Sequence, residues 1–259
     1  MKFLRFTTQE DNTLHNGIDD GEKIIETLHT PLELIENPDL IKKSLTSTHS
    51  LEDIQIETPV TPTKVVCIGL NYKDHAEELK MTLPTEPRIF IKPSNTVIPH
   101  QDIIQYPDTS NEVDYEAELA VIILKEAYQV PKEEADDYIA GYTCLNDVTA
   151  RDLQRKDEQW TRAKSFNTFC PIGPYIETDL NPMNLKIQSQ VNNEIKQDSN
   201  TKNMIFSPQE LIEFISNIMT LYPGDIIATG TPPGVGQFYK GDKIKIIIEN
   251  IGTLENTLQ

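Results

Sequence analysis

The residues Asp114-Tyr115-Glu116-Ala117-Glu118 run directly into an apolar segment at 119–124. If the strand signalled by that segment already includes 116–118, its period of two puts both glutamates on one face. Two like charges so placed repel each other unless a cation sits between them; the alternative is a solvated strand edge. A third acid, Asp147, follows a turn at Gly141 and lies among apolar neighbours in Cys144-Leu145-Asn146-Asp147-Val148. Taken alone, it also reads as a turn-capping residue. Together Glu116, Glu118 and Asp147 offer three hard oxygen ligands without Cys or His. Such a set favours magnesium or manganese over zinc and leaves positions for substrate and water. Upstream, His75 and Glu78 are three apart in a short helix expected from Tyr72 to about Leu79. The carboxylate can therefore orient the imidazole and raise its basicity, the arrangement of a general base or, more plainly, of a surface ion pair.

These side chains need elements to hold them. Short apolar runs bounded by Gly, Pro or charge predict strands at 65–68, 88–91, 119–124, 225–228 and 243–248. The best-marked helix begins at Ser207, with Pro208 in the first helical position and Glu210 completing a capping box. Leu211, Ile212, Phe214, Ile215, Ile218 and Met219 then recur at helical spacing, before Pro223-Gly224. A second helix is expected from Lys132 to about Ala140. Residues 1–58 mix apolar patches with turns and end in the proline-spaced stretch Thr58-Pro59-Val60-Thr61-Pro62, which reads as a linker. The expected organisation is a small N-terminal domain, 1–58, and a catalytic domain, 59–259. The fold class is α+β and β-rich.

Bulk properties narrow the function. A chain of 259 residues can bury a sizeable core, and its formal net charge of -18 opposes contact with nucleic acid. Cys67, Cys144 and Cys170 lack CxxC spacing, as expected of reduced, buried thiols rather than a zinc cluster. Met1 to Phe6 is charged and soon polar, and no segment approaches the length of a membrane span, so a cytoplasmic protein with no membrane partner is expected. The glycine-bearing stretch 229–236 lacks the pattern of a phosphate loop, and no Gly-x-Ser-x-Gly elbow occurs. No organic cofactor is expected.

Five motifs follow one another: Asn71-Tyr72-x-x-His75, Asp114-Tyr115-Glu116-x-Glu118-Leu119, Asn146-Asp147-x-x-x-Arg151-Asp152, Ala163-Lys164-Ser165-Phe166, and Thr229-Gly230-Thr231-Pro232-x-Gly234-Val235-Gly236. In this order they resemble the fumarylacetoacetate hydrolase family, from about Thr63 to the C-terminus, with residues 1–58 similar to the extra N-terminal domain of many bacterial members. The resemblance implies a mixed β-sandwich roll, a homodimer, and one magnesium, manganese or calcium ion on Glu116, Glu118 and Asp147. It implies His75 as the base that activates water, with Glu78 orienting it. Lys164, Arg151 and Lys92 become cationic partners of the substrate or of the ligand carboxylates, and Thr231 borders the substrate. Asn167 departs from the aspartate of many relatives, which touches substrate choice. Trp160, the only tryptophan, is expected either as a cover over the site or as a packing anchor.

The activity implied is hydrolysis of a carbon–carbon bond in a small 2,4-dioxo acid of the acylpyruvate type. The 2-oxo acid end would bind the ion, which would stabilise the departing enolate. Oxaloacetate decarboxylation and isomerisation of a 2-hydroxyhepta-2,4-diene-1,7-dioate draw on the same enolate chemistry. A reading from another class is a non-catalytic binding module stabilised by a structural ion.

Overall fold

The computed structural model describes residues 1–9 and 12–259. Its central strand, Ala117–Ile123, is buried along its whole length because both of its faces are covered. Leu119, Val121 and Ile123 join one core with Ile244, Ile246 and Ile248, whereas Ala120 and Ile122 join a second with Phe3, Leu34 and Cys67. A continuous apolar run is what such a strand requires, each buried aliphatic side chain contributing roughly 1.5–3 kcal/mol.

This strand lies in a 12-stranded sheet. Its main path runs Leu45–His49, Ile24–Thr27, His15–Asp19, Lys2–Thr8, Cys170–Glu177, Ile139–Asn146, Ala117–Ile123, Ile226–Ala228, Lys64–Gly69 and Arg88–Pro93. Along this path only Ile226–Ala228 and Lys64–Gly69 are parallel neighbours. A five-stranded sheet containing Lys186–Val191, Lys243–Ile248 and Gly252–Leu258 covers one face, alternating lysine outward with isoleucine inward at 243–246. Thr149–Ala150, Val113–Tyr115 and Gly236–Gln237 form a smaller third sheet. The β-rich α+β class and the family roll expected from the sequence are both present.

Residues 1–58 carry their strands onto the large sheet, with Phe3 opposite Ile176 and Lys2 opposite Glu177. The proline-spaced stretch after them is packed down: Arg5 Nε donates to the Thr58 carbonyl at 2.6 Å, and Val60 is buried. The helix Pro208–Ser216 has the expected capping box, Ser207 N donating to Glu210 Oε2 at 2.7 Å. It stops before Ile218, which is exposed. The helix expected from Lys132 is instead a 3-10 segment, Lys132–Tyr138, followed by the strand Ile139–Asn146. Only Ala135 is buried in that segment, so no apolar stripe supports an α-helix, and the Tyr138 carbonyl accepts from Leu124 N at 2.8 Å beside the end of the central strand. All three cysteines are free and buried. No helix among the described residues is long and apolar enough to cross a membrane.

Candidate active site

The chain reversals of the large sheet bring four strand ends together. The carboxyl ends of Lys64–Gly69, Ile226–Ala228 and Ile139–Asn146 meet the amino end of Ala117–Ile123, through the pairs Ala117 with Asn146, Ala120 with Ala228, and Ala228 with Cys67. Glu116 itself lies in a break between the strands Val113–Tyr115 and Ala117–Ile123. Side chains complete the backbone bonding at the break: Glu116 N donates to Asn146 Oδ1 at 3.0 Å, Ala117 N to Gln197 Oε1 at 3.0 Å, and Thr231 Oγ1 to the Ala117 carbonyl at 2.9 Å. The result is a convergence of three buried acids. Ligand oxygens of Glu116, Glu118 and Asp147 all lie within 4.8 Å of one another.

The cations expected nearby are present, and they bind these acids. Lys92, fully buried, donates to Asp147 Oδ1 at 2.5 Å and to the Val148 carbonyl at 2.9 Å. Lys164 donates to Asp147 Oδ2 at 2.6 Å and Glu116 Oε2 at 3.0 Å. Arg151 bonds Asp114 at 2.7 Å through Nε and Glu116 through its terminal nitrogen. Burial alone pushes the Glu116 carboxyl up, but Lys164 and Arg151 outweigh it and hold the group down at about 2. Lys164 is correspondingly raised, with Asp147 and Glu116 overcoming the effect of burial. Glu118 goes the other way: burial first, then Asp147 and Glu116, push its carboxyl well up. The donor it meets is Gly230 N, at 2.8 Å.

This donor set fits a divalent cation. Each carboxylate oxygen has two lone pairs, so an oxygen that accepts from a lysine can still serve as a ligand. With all four acids ionised, Asp114, Glu116, Glu118 and Asp147 facing Lys92, Lys164 and Arg151 would leave one negative charge in the buried cluster. A divalent ion would reverse that to one positive, the sign that an anionic substrate needs.

The cluster opens into a cleft of about 200 Å³ lined by Glu116, Glu118, Arg151, Lys164, Thr231 and His75, together with Arg88, Phe90 and Trp160. His75 Nδ1 lies 2.9 Å from Glu78 Oε2, and Glu78 Oε1 accepts from Gly234 N at 3.1 Å. The stretch 229–236 thus presents backbone amides to two acids, Glu118 and Glu78. Both presenting residues need to be glycine: at φ +96 a Cβ on Gly230 would lie 2.8 Å from Asn71 Cβ, and at φ +91 one on Gly234 would lie 2.3 Å from the Lys196 carbonyl oxygen. Trp160 is set edge-on to Phe90 at 5.1 Å and rests over Gly69, where a Cβ would come within 2.7 Å of the indole. Lys92 is not among the cleft-lining side chains, and neither is Asn167, which accepts from Asn95 Nδ2 at 2.7 Å.

Two supporting residues are not singled out as site residues by the sequence. Buried Asn71 bonds the Thr229 carbonyl at 2.7 Å and Phe206 N at 2.8 Å. Buried Gln197 bonds Ala117 N, and its amide donates to Thr231 Oγ1 at 2.8 Å. Asn71 stood inside a quoted motif, but its partners lie more than a hundred residues away; Gln197 stood in none.

Comparison with known proteins gives these features a lineage. Residues 64–259 match the family described as Fumarylacetoacetate (FAA) hydrolase C-terminal. An uncharacterized protein of Methanocaldococcus jannaschii is 61% identical over 197 residues, 76% of this chain and 83% of the relative. The mitochondrial oxaloacetate tautomerase Fahd2a of Rattus norvegicus is 46% identical over 210 residues, 76% of this chain and 67% of that protein. The crystal structure of 5-carboxymethyl-2-hydroxymuconate delta-isomerase from Mycobacterium smegmatis superposes with a TM-score of 0.88 at 36% identity, covering 100% of this chain and 99% of that one. With its triad of acids, its glycine-held dyad and these relatives, the chain belongs to the fumarylacetoacetate hydrolase family, whose members are enzymes.

Proposed function

We propose that this chain is a divalent-metal-dependent enzyme that interconverts the keto and enol forms of a small 2-oxo acid. The observation that carries the reading is the packing of Glu116, Glu118 and Asp147 within 4.8 Å of one another, with Glu116 and Glu118 lining the same cleft as His75. Glu116, Glu118 and Asp147 would hold a magnesium or manganese ion, which would supply Lewis-acid chemistry to a bound 2-oxo acid. With Nδ1–H donated to Glu78, His75 Nε2 is the acceptor free to take a proton from the carbon beside the 2-oxo group. Glu78, fixed by Gly234 N, stabilises the imidazolium that forms. Return of that proton at the other position completes the tautomerisation. The volume of about 200 Å³ lies below that of sites for drug-sized ligands and suits an acid of a few carbons. The oxaloacetate tautomerase and the isomerase among the relatives support the same chemistry.

Hydrolysis of a 2,4-dioxo acid, the activity expected from the sequence, is the second reading, favoured by the same His75–Glu78 pair acting on water. An assay of oxaloacetate tautomerisation, oxaloacetate decarboxylation and acetylpyruvate hydrolysis, with and without magnesium, tests both. Metal-dependent tautomerisation is the expected result. Turnover of none of them, with a metal-raised melting temperature, would instead favour the non-catalytic module. The homodimer belongs to this proposal, and a monomeric mass by light scattering at micromolar concentration would contradict it.

A further inference from the structure

Arg88, Phe90 and Lys92 alternate along the strand Arg88–Pro93 and so share one of its faces. The three form a line from the buried cluster to the mouth of the cleft. Lys92, at the inner end, is bound to Asp147. Phe90 lies 5.0 Å beneath the Lys164 ammonium and against Trp160. Arg88, at the outer end, is exposed and lines the cleft beside Leu79, Met81 and Trp160. Lys92, Lys164 and Arg151 are already engaged by the carboxylates of the cluster. Among the described residues Arg88 has no carboxylate partner, which sets it apart from every other cation of the site.

We infer that Arg88 receives a second carboxylate of the substrate, at the end remote from the 2-oxo group, and so selects a 2-oxo dicarboxylic acid over its monocarboxylic counterpart. This rests on the reading of the site as one for a 2-oxo acid. Three features support it. The guanidinium fork matches a carboxylate bidentately, which a point charge does not. Leu70, Leu79, Met81 and Trp160 make much of the remaining lining apolar, and beside the neutral Gln154 the lining cation without a carboxylate partner is Arg88. The chain as a whole carries a charge of -18, and a dianion entering it needs a local positive group to offset the repulsion. Four residues along a strand place the Cα atoms of Arg88 and Lys92 about 13 Å apart, and since Lys92 is bound to Asp147, Arg88 stands well out along the strand from the acid cluster. The competing account is that Arg88 merely guards the edge of the large sheet, since its strand is the last on that side.

The test compares oxaloacetate with 2-oxobutanoate in the magnesium-loaded full chain, wild type against Arg88→Leu and Arg88→Lys. The expected result is a fall of about 10- to 100-fold in the ratio of kcat/KM for the dicarboxylate to that for the monocarboxylate in Arg88→Leu, carried by KM. Arg88→Lys should recover part of it. An unchanged ratio, or equal losses on both substrates, would overturn the assignment and leave Arg88 as edge protection. If the wild type turned over neither acid, the catalytic reading would fail on its own. Calorimetric titration of the same two acids would then decide Arg88 separately: a preference for oxaloacetate lost in Arg88→Leu upholds it, and no preference in the wild type refutes it.

Discussion

Two buried carboxylates in this molecule live in opposite surroundings. Asp225, just before the strand Ile226–Ala228, accepts from Thr63 N at 2.9 Å, Thr63 Oγ1 at 2.7 Å, Lys64 N at 3.2 Å and Tyr222 N at 2.9 Å, and also from the Lys64 ammonium. Burial pushes its carboxyl up, but Lys64 and Thr63 outweigh that and hold it below the ordinary aspartate value. Glu118, at the other end of the same sheet, meets one backbone amide and two further carboxylates, and its carboxyl is pushed well up. Asp225 is a finished structural node that ties the chain after residue 62 to the sheet. Glu118 is held where its charged form needs a cation and otherwise gives way to a proton, so stability is given up locally for chemistry.

The largest effect expected from this contrast lies on the cleft side. His75→Ala should lower turnover by about 10²- to 10⁴-fold with magnesium affinity intact; an unchanged rate on every 2-oxo acid would remove His75 from the mechanism. Next in size, Asp225→Ala strands the Lys64 ammonium and four other donor groups, and should cost about 3 kcal/mol or more in denaturant unfolding without touching metal affinity. A loss under about 1 kcal/mol would show that Asp225 is not the node described here.

The acid limb of stability sharpens the same point. A carboxyl whose folded pKa is depressed contributes stability that is fully present above its unfolded value, about 3.9, and is lost as pH falls through the lower folded value. Asp225→Asn should therefore flatten the acid-side decline in melting temperature, and an unaltered profile would assign that decline to other groups. The smallest effect has the opposite sign. In chelator-treated protein at alkaline pH, where the raised Glu118 carboxyl is ionised, Glu118→Gln removes a charge from a repelling cluster and should raise the melting temperature by a few degrees, about 1 kcal/mol at roughly 2–4 °C per kcal/mol for a chain of this size. A drop would mean that the Glu118 charge is already compensated.

Much of this site is legible in the sequence because its chemistry is local. Glu116 and Glu118 flank one alanine, and His75 and Glu78 share one helical turn, so spacing alone places each pair. The strands Ala117–Ile123 and Lys243–Ile248 are legible for the same reason, through burial that repeats along a short run. Cys170–Glu177 is not, because Pro171, Gly173 and Pro174 interrupt the strand signal that its position beside two sheet partners nonetheless supports. Asp225 reads as an ordinary charge before a strand; its importance comes from Thr63 and Lys64, more than 160 residues earlier. Arg88 likewise acquires meaning only when the engagement of Lys92, Lys164 and Arg151 elsewhere is known.

The central claim is that Glu118 belongs to a cation and Asp225 to the fold. Calorimetric titration of manganese into wild type, Glu118→Gln and Asp225→Asn tests it in one series. The account predicts one site per chain in the wild type, a matching affinity in Asp225→Asn, and loss of measurable binding in Glu118→Gln. Manganese binding by Glu118→Gln with the affinity of the wild type would contradict it.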